Sequence, residues 1–213
     1  MTEWFDGFWQ FMDRGGPVMW PLLALSVVAL TLVVERAVFF ARLNHPGRLR
    51  RIGQLAKLLR TNHRERAKAL ADREATVYGE VVLRLHESEP PTEAAGHEAI
   101  ELQRRRLERF MPTLSTIITA APMLGILGTV LGLIDSFNLL SEASAGVQGP
   151  RDVSGSIAQA LLTTAAGLVI SVGALFPYNA FRAQIDRTLS RLESLVGAAV
   201  HGTESVPEAP AGA

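Results

Sequence analysis

The sequence predicts an all-α membrane protein: three transmembrane helices, with the second and third extended into a cytoplasmic helical bundle. Three observations lead there. Three long runs carry almost no charge and are long enough to cross a hydrocarbon core. The segment between the first and second runs is dense in charge and patterned for helices, and it holds 15 of the chain's 21 Lys and Arg. Cys is absent from all 213 residues, which removes a disulfide framework, a thiol catalyst and cysteine-based metal sites. The bulk composition, 48% hydrophobic and 20% charged with a net charge of zero, averages these two unlike halves.

Residues 1–16 set Trp4, Phe5, Phe8, Trp9, Phe11 and Met12 among Glu3, Asp6 and Asp13, an aromatic amphipathic pattern suited to lying at a membrane surface. Residues 17–40 are apolar apart from Ser26, Thr31 and the pair Glu35-Arg36. At ~1.5 Å per residue this run reaches ~36 Å, enough for a first span. An acidic stretch precedes it, where a cleaved signal peptide would carry basic residues and a shorter core. Glu35 and Arg36 fall near its far end, so both are expected to snorkel to the interface as an anchoring pair.

Residues 41–112 form the charged middle. Ile52, Leu55, Ala56 and Leu59 make one apolar stripe and Val77, Val81 and Leu85 another. Pro90-Pro91 interrupts the pattern, and Thr92 can cap the helix that resumes. Arg104, Arg105, Arg106 and Arg109 stand just before the next apolar run, and the bias of Lys and Arg places this middle segment in the cytoplasm. Ten acidic residues share the segment and no aromatics interleave with the basic ones. A solvated, topology-setting face is therefore expected, not a nucleic-acid surface.

The second span, residues 113–140, then runs outward, residues 141–153 form a short periplasmic loop, and the third span, residues 154–180, returns. Residues 181–213 continue as a cytoplasmic helix, with Arg182, Arg187 and Arg191 against Leu189, Leu192 and Leu195, and end in a low-complexity tail. On this layout the N-terminus is periplasmic and the C-terminus cytoplasmic.

The second and third spans are not written like helices that face only lipid. Gly125, Gly128, Gly132 and Asp135 recur at spacings of three, four and three, which puts them on one helical face. Ala160, Thr164, Gly167, Ser171 and Ala174 do the same in the third span. Small residues in a stripe let backbones approach closely, and hydroxyls there bond across helices or line a wet path. Gly125, Gly128, Gly132 and Gly167 are therefore candidate helix-packing residues. For Thr113, Thr116, Thr119 and Thr163 a bond to the carbonyl one turn back is the expected state. The five His are scattered, and His97-Glu98 lacks a second His at zinc-protease spacing. With no P-loop, dinucleotide fingerprint or nucleophile elbow either, no metal, no cofactor and no enzymatic activity are expected.

The runs GGPVMWPLLALSVVALTLVVERAVFF, APMLGILGTVLGLIDSF and IAQALLTTAAGL followed by YNAF resemble the MotA/TolQ/ExbB proton-channel family, and most of all its ExbB/TolQ branch. The resemblance covers all three spans in order. It implies a homo-oligomer of the bacterial inner membrane, a pentamer, around a central pore among the membrane lipids. In that pore would sit an ExbD/TolR-like single-span partner with a membrane Asp, working with a TonB/TolA-like effector, and proton flow would drive work on the cell envelope. Within this frame Thr129 and Thr164 are candidate pore-facing hydroxyls, Gln159 stands where many relatives carry Glu, and Asp135 is either a pore-mouth acid or a solvated interfacial one. Gln cannot exchange a proton near neutral pH, so conduction would lean on the partner's acid and on hydrated hydroxyls. Relatives also continue the third helix with Ala-Ile-Pro, where this chain reads Ser171-Val172-Gly173 and carries Pro177 later. A non-conducting membrane scaffold and a MotA-like stator subunit for motility are the alternatives.

Overall fold

The computed structural model describes residues 9, 12, 15–73, 76–88, 90–144 and 150–202. Among these, every regular element is an α-helix: α1 (Met19–Leu43), α2 (Pro46–Arg60), α3 (Arg64–Ala71), α4 (Val77–Glu87), α5 (Glu93–Leu107), α6 (Met111–Ser144) and α7 (Pro150–Val200). Most of the expected interfacial segment 1–16, residues 145–149 of the expected loop and the tail from 203 onward lie outside the described residues. Among the described residues, three stretches are long and apolar enough to cross a membrane: Met19–Leu43, Met111–Ser141 and Ser154–Val200.

The chain divides into two compact units, Met1–Glu35 with Phe110–Ala180, and Arg36–Arg109 with Phe181–Ala213. In the first, Met12, Val18, Met19 and Leu22 form a buried cluster with Ala121 of α6, flanked by Leu124, Ala166 and Ile170. Large apolar side chains elsewhere on α6 and α7 face outward, including Met123, Phe137, Val169 and Phe176, each about 70% exposed. Helices apolar on their outer faces as well as their inner ones belong in a bilayer or against further helices.

In the second unit the expected stripes turn inward. Leu55 and Leu59 of α2, Val77, Val81 and Leu85 of α4, and Leu189, Leu192 and Leu195 of α7 are all buried. A Cβ added at Gly96 of α5 would collide with Val196 of α7, so these two helices approach closely. Start signals are local. Thr92 Oγ1 accepts from Ala95 N at 3.2 Å and Thr76 Oγ1 from Gly79 N at 3.5 Å, each satisfying a donor that a helix start leaves unpaired. Glu80 of α4 accepts from Arg106 Nη1 at 2.6 and 2.7 Å and from Gln103 Nε2 at 2.9 Å. Burial pushes the Glu80 carboxyl up, but the bonds from Arg106 and Gln103 prevail and hold it below the usual carboxylate value.

One expectation needs correction here. Arg36 does not snorkel: it is 2% exposed, donates from Nη1 to Arg106 O at 3.3 Å and Leu107 O at 3.2 Å, and lies 4.7 Å over the Phe39 ring. It caps the last carbonyls of α5, where a helix leaves acceptors unpaired and a cation is favoured. The third span does extend as one helix, 51 residues long. The second span belongs to a helix of 34 residues, and a separate helix, α5, precedes it. α5 ends at Leu107, Phe110 adopts φ 68°, and α6 starts at Met111 with Pro112 in its first turn, where a missing N–H costs nothing.

Candidate functional site

The small-residue stripes of α6 and α7 meet each other within one chain, antiparallel, along a continuous seam. A Cβ at Gly125 would lie 2.9 Å from Thr164 Cα, and one at Gly132 would lie 2.6 Å from Ala160 Cβ. At Gly128 it would overlap the Thr163 hydroxyl, and at Gly167 the Ala121 carbonyl. Real Cβ atoms do not tolerate such approaches, so glycine at these four positions is what lets the two backbones come this close.

Hydroxyls stitch the seam. Thr164 Oγ1 donates across it to Gly125 O at 2.8 Å. Thr163, 1% exposed, donates to Ala160 O at 2.7 Å and reaches Gly125 O at 3.4 Å. Ser171 Oγ donates to Ile118 O at 2.6 Å. This last bond has a specific cause. Pro122 lies inside α6 and has no N–H to give the carbonyl of Ile118 one turn back. In hydrocarbon that oxygen would have no water to turn to, and Ser171 supplies the missing donor from the facing helix.

The other expected site residues lie elsewhere. Thr129, half-exposed, donates within α6 to Ile126 O at 2.6 Å, as Thr116 and Thr119 do to carbonyls of the same helix. Gln159 is half-buried against the turn that leads into α1: a side chain at Gly16, which adopts φ 69°, would overlap the Gln159 amide. Asp135 is exposed and does not share the buried face of Gly125, Gly128 and Gly132. That face continues instead to Ser136, 5% exposed, whose hydroxyl donates to Gly132 O at 2.7 Å. Three and four residues past Gly132 are both near its face, and the side chain able to satisfy itself locally is the one that turns inward. Sequence reasoning did not anticipate Ser136, the seam position of Thr163, or the pairing of Ser171 with Pro122. The signal for the last was a proline in one span and a hydroxyl in the next.

A helical membrane protein whose second and third spans pair through such a seam defines a class, and comparison with known proteins identifies it. The model of the MotA/TolQ/ExbB proton channel family matches residues 62–194. An ExbB-like biopolymer transport protein, number 3 of Synechocystis sp., is 33% identical over 188 residues, covering 86% of this chain and 89% of that one. The biopolymer transport protein exbB1 of Vibrio cholerae is 29% identical, over 86% of this chain and 83% of that one. The solved structure of C. jejuni MotAB shares the fold, with a TM-score of 0.55 at 19% identity over 86% of this chain and 75% of that one. This chain belongs to the MotA/TolQ/ExbB proton channel family, in its ExbB/TolQ-like branch.

Proposed function

We propose that the chain is the channel-forming subunit of an inner-membrane energy-transducing complex, in which proton motive force drives work on the cell envelope. It acts as a homo-oligomer, a pentamer, around an ExbD/TolR-like single-span partner with a membrane Asp, coupled to a TonB/TolA-like effector. The N-terminus is periplasmic and the charged middle cytoplasmic. The observation that carries this reading is the hydroxyl-bearing seam in a chain of this family, above all Thr164, which is half-exposed while its proton is spent on Gly125 O. Its oxygen still has lone pairs to accept from water. Gln159 cannot titrate near neutral pH, so the partner supplies the titrating group beside this hydroxyl.

The test is Thr164→Val, which keeps the shape and removes the hydroxyl. In the complex reconstituted with its partner in vesicles, the variant should keep its assembled mass and lose most proton flux, read with an internal pH dye. The lost seam bond is worth only ~1 kcal/mol, too little to unfold the protein. Normal assembly with wild-type flux would refute the hydrated-hydroxyl path and favour a non-conducting scaffold.

A further inference from the structure

In the second unit, the C-terminal end of α1 lies against the part of α7 that begins at Phe181, and between them opens a cavity of about 510 Å³. Its lining is graded. At one end Phe40 and Phe181 stack with ring centroids 5.7 Å apart. Further along both helices come Asn44 and Gln184, joined Nδ2 to Oε1 at 2.9 Å, and then Arg187 and Arg191. Arg191 Nη1 reaches Asn44 Oδ1 at 3.4 Å. Arg187, by contrast, makes no hydrogen bond or ion pair among the described residues. Among the described residues, no carboxylate lines the cavity. From Phe181 to Arg187 the helix advances ~9 Å, on the order of the depth of a headgroup layer.

We propose that this cavity is a binding site for the phosphodiester headgroup of an anionic membrane phospholipid. Two guanidiniums with no acid among the described lining residues to neutralise them complement a phosphate, and Arg presents the forked donors that phosphate geometry suits. The aromatic end, contiguous with the apolar runs of two spans, accepts the glycerol and the first acyl carbons. A basic pocket just beyond the ends of membrane helices has the chemistry of a headgroup site. A neighbouring protein copy would have to bring its own acids to this face.

The full chain, purified in detergent and stripped of lipid, is titrated with dioleoylphosphatidylglycerol, dioleoylphosphatidylcholine and inorganic phosphate and read by native mass spectrometry. Phosphatidylglycerol should bind once per chain, roughly thirtyfold tighter than phosphatidylcholine, from two basic residues each strengthening anionic-lipid contact severalfold. Arg187→Gln with Arg191→Gln should abolish that preference at unchanged oligomer mass and helix content. Arg187→Lys with Arg191→Lys should restore part of it, and Lys57→Gln with Arg60→Gln, an exposed control pair, should leave it intact. Four results overturn the proposal: equal binding of the two lipids, preference retained in the Gln pair, displacement of lipid by inorganic phosphate, or a Gln pair that falls apart into protomers. The third would make this a soluble-anion site and the fourth a contact between copies.

Discussion

If Ser171 exists to satisfy the carbonyl that Pro122 orphans, its worth depends on that proline, and a double-mutant cycle measures the dependence. Ser171 Oγ to Ile118 O is 2.6 Å, a good bond across the seam, and Ser171 is 9% exposed. An unsatisfied buried acceptor costs ~1–3 kcal/mol, and measured interhelical bonds in membranes fall near ~1 kcal/mol. Ser171→Ala should therefore cost ~1 kcal/mol in the native background. In Pro122→Ala the restored N–H of residue 122 can take the Ile118 carbonyl, so there Ser171→Ala should cost little. The expected coupling is ~1 kcal/mol, and the intrinsic effects of the proline change cancel in the cycle. The assay is reversible unfolding in mixed micelles, followed by loss of helical circular dichroism. An equal cost for Ser171→Ala in both backgrounds would refute the causal link between the two residues.

Gly128→Ala should destabilise the fold by roughly 1–3 kcal/mol through overpacking against Thr163. Gly173→Ala, where a Cβ meets nothing within 4 Å, should be neutral or stabilise slightly; the same unfolding assay distinguishes them, and equal costs would contradict the seam. Because the Glu80 carboxyl is held below its usual value, its contribution is complete above the unfolded pKa, about 4.3, and is lost as pH falls through the lower folded value. Acid unfolding of Glu80→Gln, followed by circular dichroism between about pH 5 and about pH 2, should therefore be shallower than that of the wild type; identical profiles would remove Glu80 from the account. For orientation, single cysteines at the exposed positions Ser141 and Arg66 of this Cys-free chain should react differently with an impermeant thiol reagent on intact cells. Only position 141 should label, and labelling of 66 alone would invert the topology.

Much of this structure is written locally. Chain length without charge marks the spans, and the recurrence of Gly125, Gly128 and Gly132 marks a face that needs close company, because both follow from helical geometry alone. What stayed hidden depends on partners far away in sequence. Nothing near Arg36 announces the end of α5, so snorkelling, the right default for an isolated helix, was the wrong outcome here. Gln159 reads as a pore position by family pattern, while its contact with Gly16 depends on a left-handed glycine across the unit. The break at Phe110 carries no glycine to announce it; a bulky residue at positive φ is uncommon, and only Pro112 hinted that a helix would begin afresh. Asp135 and Ser136 show the resolution limit of periodicity, since neighbouring positions of one turn compete and side-chain chemistry decides.

The cap that Arg36 places on α5 also has a history in time. Its carbonyl partners lie 70 and 71 residues further along the chain, so during synthesis the first span is complete well before they leave the ribosome. In that interval the guanidinium is a charge near the end of an apolar helix, with neither carbonyl yet available to it. Once residues 106 and 107 arrive and α5 forms, the same group is withdrawn from water and becomes a structural clasp. One side chain thus passes through two successive states, first a charge at a helix end and later a clasp that fastens the folded chain. A substitution at this position would leave the carbonyls of residues 106 and 107 without this donor once α5 has formed.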